Sequence, residues 1–234
     1  MRIRMVVFDI AGTTVSDEDN AVAGRLCDAL RAVGVDIAET DVDPYMGMPK
    51  PLAIERLLSD HGGERPSEER VLEIHADFQR RMIDHYKSSP TVQQVPGAAE
   101  VFAFLRSRGI RVTLDTGFDR PITDAILERL GWAEKVIDDS VTSDEVARGR
   151  PSPDMIHVLM ERAGITDPQH VAKVGDSGSD VEQGLAAGCG LVAAVLGPRT
   201  VHLVDQHADV EAIETIADFP LLLERLAAHE VTTS

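Results

Sequence analysis

With 234 residues, 43% of them hydrophobic and 27% charged, the chain is too apolar for disorder and suits one large domain or one domain carrying an insertion. The formal net charge of −17 argues against nucleic acid or an anionic membrane as the main partner, because both repel an acidic surface. No run approaches the ~20 apolar residues of a membrane span, the N-terminal apolar run is too short for a secretory signal, and Cys27 and Cys189 form no metal-ligand spacing; the expectation is a cytoplasmic protein with two free thiols.

Ile3 to Phe8 is a short β-branched and apolar run ending at Asp9, the pattern of a strand buried on both faces. A turn-forming cluster, Ala11-Gly12-Thr13-Thr14, follows it. From about Asn20 to Val33 the apolar residues Val22, Leu26, Ala29 and Leu30 fall on one helical stripe, closed by Gly34. Further helices are predicted from Pro51 to about Leu58 and from about Ser67 to Lys87. After Val95-Pro96-Gly97 helix and strand alternate. Ala98 to Arg108 is helical, Ile110 to Leu114 a strand ending in Asp115-Thr116-Gly117, Pro121 to Leu130 helical, and Lys135 to Ile137 a short strand. Ser152-Pro153 has the form of a capping residue followed by a first-turn proline. Val171 to Gly175 is a strand ending in Asp176, Val181 to Ala187 a helix closed by Gly188, and Gly190 to Val195 a strand. A last strand is expected over Ala208 to Ile213 and a last helix from about Phe219 to His229.

This alternation predicts an α/β fold: a doubly wound, Rossmann-like parallel sheet. Its first strand is followed by helices alone. The economical reading is a sheet domain of residues 1–15 and 94–234, interrupted by an all-helical cap of residues 16–93. Asp9, Thr116, Arg150, Asp176 and Asp180 then fall at the C-terminal ends of parallel strands, where open sheets bind ligands.

Four segments carry a family resemblance: Phe8-Asp9-Ile10-Ala11-Gly12-Thr13-Thr14, Leu114-Asp115-Thr116-Gly117, Gly149-Arg150-Pro151 and Val174-Gly175-Asp176-Ser177-Gly178-Ser179-Asp180. In order and spacing they resemble the four motifs of the haloacid dehalogenase superfamily. The resemblance implies that Asp9 is a nucleophile attacking phosphorus to give an aspartyl-phosphate. It implies Mg²⁺ held by Asp9, the backbone carbonyl of Ala11 and Asp176, with Asp180 holding a metal-bound water. Thr116 and the Gly117 amide would bind phosphoryl oxygens and Arg150 would offset their charge.

Phosphatases of this superfamily carry a second Asp two residues after the nucleophile, as general acid; here that residue is Ala11. In this the chain is similar to the phosphonatase branch, the phosphonoacetaldehyde hydrolases, which also have Ala there. That branch uses a cap lysine that forms a Schiff base with the substrate aldehyde. Met46-Gly47-Met48-Pro49-Lys50 resembles the segment bearing it, so Lys50 is the implied amine, with Met46 beside the substrate. An iminium takes up the electrons released when a P–C bond breaks, so no acid is needed at position 11. A nucleophilic lysine must be neutral, which apolar neighbours favour. Two positions depart from the branch: Ala53 stands where it has His, and Phe118 where it has Tyr.

The leading expectation is a Mg²⁺-dependent hydrolase of a small phosphonate of the phosphonoacetaldehyde type. The alternatives are a phosphatase for a small monoester of the phosphoglycolate type and a non-catalytic phospho-ligand binder. A hydrolytic dehalogenase would not need the metal-binding form Gly175-Asp176-x-x-x-Asp180. A homodimer through the cap would follow the family's habit.

Overall fold

The computed structural model describes residues 3–17, 19–62, 65–132 and 136–233. Strand β1 (Met5–Phe8) is followed by four helices, α1 (Ala21–Ala32), α2 (Glu39–Val42), α3 (Lys50–Gly62) and α4 (Glu68–Ser88). Then come α5 (Ala98–Ser107), β2 (Arg111–Thr116), α6 (Arg120–Leu130), β3 (Asp139–Thr142), α7 (Asp154–Ala163), β4 (Val171–Gly175) and α8 (Gly178–Ala186). The chain ends with β5 (Leu191–Val195), α9 (Val201–Gln206), β6 (Val210–Ile213) and α10 (Phe219–Thr233). All six strands are parallel, in the order β3-β2-β1-β4-β5-β6.

β1 is central because it is apolar on both faces. Val6 and Phe8 point to one side, where Phe8 meets Phe102 of α5 at 5.4 Å and Phe219 of α10 at 5.8 Å between ring centroids. Met5 and Val7 point to the other, against Met155, Ile156 and Leu159 of α7. The chain adds strands on one side of β1 and then on the other, so the order reverses between β1 and β4. That reversal opens a crevice at the carboxyl ends of the two strands.

The helical insertion leaves and re-enters the sheet at one place. The Ser16 amide donates to the Gln93 carbonyl and the Val95 amide to that of Thr14, both at 2.9 Å, and Val15 bridges Gln94. α4 packs on α1 and α3 within the insertion and on α6 outside it. There Asp119 caps α6 through Oδ1, while its Oδ2 accepts from Gln79 at 2.7 Å and faces His75 at 3.2 Å, both on α4. Among the described residues no helix is long and apolar enough to cross a membrane. Cys27 and Cys189 carry free thiols.

Three local expectations are corrected. Lys135 lies outside the described residues, Val136 and Ile137 are not in a strand, and β3 begins at Asp139. β3 reads Asp-Ser-Val-Thr and only its last two residues are buried, so a polar edge strand escapes a search for apolar runs. Ser152 does not cap α7; its hydroxyl bonds Asp154 Oδ1 at 2.7 Å, while Pro153 takes the N-cap position. α2 and α9 were not expected: 4 and 6 residues long, they are too short to show a period.

Candidate active site

Asp9 follows β1 directly, and its amide extends the ladder by donating to the Val174 carbonyl at 2.9 Å. The next turn is tightened by Thr14, whose hydroxyl donates to the Asp9 carbonyl at 2.9 Å. Gly12 sits at φ +93°, in the left-handed region, and a Cβ there would lie 2.5 Å from Asp176 Oδ2. Only glycine satisfies both constraints. The turn thereby brings the ends of β1 and β4 together. Ligand oxygens of Asp9, Asp176 and Asp180 all lie within 4.8 Å of one another.

Three cations offset these carboxylates. Arg150, fully buried, reaches Asp9 Oδ1 at 2.6 Å, Asp180 Oδ1 at 2.8 Å and Asp115 Oδ1 at 2.5 Å. Lys173, in the middle of β4, lies between Asp115 and Asp180. Arg199, in the loop after β5, holds Asp176 Oδ2 at 2.5 Å. Burial raises the Asp9 carboxyl to about 7; Arg150 opposes this, and Asp180 and Asp176 add to it. Burial likewise raises Asp176, against the pull of Arg199. Asp180 goes the other way, because Arg150 and Lys173 outweigh its burial.

The helical insertion supplies one wall. Lys50 opens α3, is 3% exposed, and shares a cavity with Asp9, Thr116 and Asp176. Val22, Met46 and Phe118 form the apolar side of that cavity. The Lys50 ammonium donates to the Met48 carbonyl at 3.3 Å and lies 5.5 Å from the centroid of the Phe118 ring. Burial pushes its pKa down to about 8, with Asp9 pulling the other way. The segment bearing Lys50 is docked closely. Ser179 donates to the Met46 carbonyl at 2.9 Å, and Gly117 and Gly149 have no room for a Cβ against Gly47, Met48 and Pro49.

Asp9, Ala11, Met46, Lys50, Thr116, Gly117 and Asp176 thus open on a single cavity. Asp180 and Arg150 lie behind Asp9, with Arg150 on carboxylates rather than on the cavity wall. Phe118 and Ala53 are buried and apolar, and Ala11 carries no proton. Lys173, Asp115 and Arg199 were missed in the sequence. A lysine and an aspartate inside strands buried on both faces were the available signal, since such charges demand partners.

Only carboxylates compose the acidic cluster, the donor set of a hard cation such as Mg²⁺. Asp180 Oδ1 is held by ion pairs with Arg150 at 2.8 Å and Lys173 at 2.9 Å, which fixes this carboxylate at the edge of the cluster. The residues fit a divalent cation.

The haloacid dehalogenase-like hydrolase family model matches residues 3–188. A phosphonoacetaldehyde hydrolase from Bordetella pertussis is 31% identical, over 98% of this chain and 96% of its own. A bifunctional phosphonoacetaldehyde hydrolase/aminoethylphosphonate transaminase from Clostridioides difficile is 28% identical over 89% of this chain, which spans only 34% of that relative's length. Among solved structures, a phosphonoacetaldehyde hydrolase-like protein from Oleispira antarctica superposes with a TM-score of 0.78 at 21% identity, covering 96% of this chain and 92% of that one. The chain belongs to the haloacid dehalogenase-like hydrolases, and within them to the phosphonatase-like branch.

Proposed function

We propose that the chain is a Mg²⁺-dependent hydrolase that cleaves the P–C bond of a small phosphonate with a carbonyl next to the phosphorus-bearing carbon, as in phosphonoacetaldehyde. The observation that carries this reading is a buried lysine amine opening on the same cavity as the Asp9 carboxylate. In this reading residues 1–15 and 94–234 are the catalytic sheet domain, and residues 16–93 are the cap that delivers Lys50.

Lys50 Nζ adds to the substrate carbonyl and, with loss of water, forms an iminium. An Asp9 carboxylate oxygen attacks phosphorus. The P–C bond breaks, and its electron pair moves toward the iminium nitrogen, giving an enamine on Lys50 and a phosphoryl group on Asp9. Ala11 suffices because no oxygen leaving group needs a proton. Water then releases inorganic phosphate from Asp9. Protonation at carbon and hydrolysis release the aldehyde and restore the amine. Thr116 and the Gly117 amide bind phosphonate oxygens, and Arg150 holds the Asp9 carboxylate in line. Asp9, the Ala11 carbonyl, Asp176 and Asp180 would hold Mg²⁺, which supplies neutralisation of the phosphoryl charge.

Phosphate release from phosphonoacetaldehyde and from small monoesters such as phosphoglycolate, with and without Mg²⁺, tests this. The expected result is turnover of the phosphonate and slow hydrolysis of the esters, which lack a general acid worth typically ~10²- to 10⁴-fold. Fast ester hydrolysis with an inert phosphonate would make the protein a phosphatase. No release from either would leave a phospho-ligand binder.

A further inference from the structure

Asp176 has both carboxylate oxygens engaged. Oδ1 accepts from the Thr13 hydroxyl at 3.0 Å, and Oδ2 from Arg199 Nη2 at 2.5 Å. Oδ2 is also the oxygen against which the backbone of Gly12 is pressed. A cation that takes Oδ2 as a ligand therefore meets a guanidinium already seated there.

Arg199 is the least buried of the cations paired with these carboxylates. Its side chain is 24% exposed. Its backbone is fixed independently, because Thr200 Oγ1 donates to the Val195 carbonyl at 2.6 Å and accepts from the Gly197 amide at 3.0 Å. Arg199 also borders a second cavity, one that Lys50 does not line, and the only carboxylates lining it among the described residues are Asp176 and Asp17. Asp17 lies at the entry to the helical insertion, with Oδ1 accepting from the Val22 amide at 3.3 Å. Burial raises its carboxyl to about 6, and the charge of Arg199 already acts on it.

We propose that Arg199 is a displaceable counter-ion of the metal site, held by Asp176 when no metal is bound, expelled by the cation, and then received by Asp17 across the adjoining cavity. This rests on the Mg²⁺ site of the proposed function. Charge balance favours such a swap. Asp115, Asp176 and Asp180 face Arg150, Lys173 and Arg199, so these ion pairs are balanced before any metal enters. A divalent cation added to that set is repelled unless a cation withdraws or a dianionic substrate enters with it. Arg199, the most exposed of the ion-paired cations, is the one placed to withdraw. It is a positioning residue that sets metal affinity, and it ties metal occupancy to the root of the insertion.

Calorimetric titration of the full chain with MgCl₂ alone, at about pH 8 and without substrate, tests this. If Arg199 only braced Asp176, Arg199→Ala would weaken Mg²⁺ binding. Displacement predicts the opposite, a Kd lowered roughly tenfold, in keeping with loss of one partly buried ion pair. Arg199→Lys keeps a competing charge and should stay within about threefold of the unaltered protein. Asp17→Asn removes the receiving carboxylate and should weaken Mg²⁺ several-fold, but should have almost no effect when combined with Arg199→Ala. Far-ultraviolet circular dichroism and a melting curve establish that each variant is folded, and Arg199→Gln replaces Arg199→Ala if that variant is not. Normal binding by the unaltered protein with equal or weaker binding by the folded variant overturns the counter-ion role alone. No Mg²⁺ binding by either protein overturns the metal site itself and the counter-ion role with it.

Discussion

At about pH 7 a lysine with the ordinary pKa of 10.5 is neutral in roughly one molecule in 3,000. Lys50, pushed down to about 8 by burial, is neutral in about one in ten, a gain of roughly 300-fold in competent amine. The perturbation is pH itself, applied to imine formation before any P–C cleavage. In Asp9→Asn the phosphoryl acceptor is gone, so phosphonoacetaldehyde can condense with Lys50 without being consumed. Cyanoborohydride then reduces the iminium to a stable secondary amine, and peptide mass mapping locates and quantifies the adduct. In the protein with Asp9 intact, the initial trapping rate should rise through about pH 8 and level off above about pH 9. Asp9 is the largest influence holding Lys50 protonated, so in Asp9→Asn the midpoint should move to lower pH. Lys50→Arg should give no adduct, because a guanidinium stays protonated. A rate still climbing beyond about pH 10, or an adduct spread over other lysines, would refute a buried, neutral Lys50.

Asp9→Asn should lower phosphate release by at least ~10³-fold with folding intact, as loss of a covalent nucleophile does. Chelator should abolish turnover and Mg²⁺ restore it; undiminished turnover in excess chelator would remove the metal from the reaction. Lys173→Met leaves Asp115 and Asp180 facing Arg150 alone and should cost about 3–5 kcal/mol in urea unfolding. Adding Asp115→Asn should recover much of that loss. The raised carboxyl of Asp9 binds its proton more tightly folded than unfolded. In the metal-free protein its contribution to stability is therefore present at low pH and lost as pH rises from about 4 to about 7. Unfolding of Asp9→Asn over that range should lack this loss, and equal slopes for the two proteins would refute the raised pKa.

Periodicity and apolar runs located most of the elements, because the sheet is central and its long helices bury one face each. They failed where burial is partial. β3 pairs through polar residues at a sheet edge, and α2 and α9 are shorter than a helical period can reveal. Spacing along the chain brought out Asp9, Thr116, Arg150, Asp176 and Asp180, since each ends or follows a parallel strand. It said nothing of depth. Arg150 is fully buried against three carboxylates, a fact that depends on Asp115 and Lys173 facing the site from the strands on either side of β1. Arg199 was invisible for another reason: its partner is 23 residues away, and only the closure of β5 beside β4 makes them meet.

The paired linkers at Val15 and Gln94 bear on the order in which the chain folds. β1 must find β2 across roughly 100 intervening residues, a slow step for a parallel pair. Closing a loop of about 100 residues costs about 1.3 kcal/mol more than closing one of about 24, the length left between the strands once Val15 and Gln94 are paired, on a logarithmic dependence of closure entropy on length. Once α1 lies against α4, Thr14 and Val95 are neighbours and the long loop has become a short one. The insertion thus acts as a splint: its early collapse lowers the entropic cost of the central pairing of the sheet by about 1.3 kcal/mol, roughly nine-fold in rate. Destabilising the α1–α4 contact should then slow refolding, whereas substitutions on β6, added last at the far edge, should chiefly hasten unfolding.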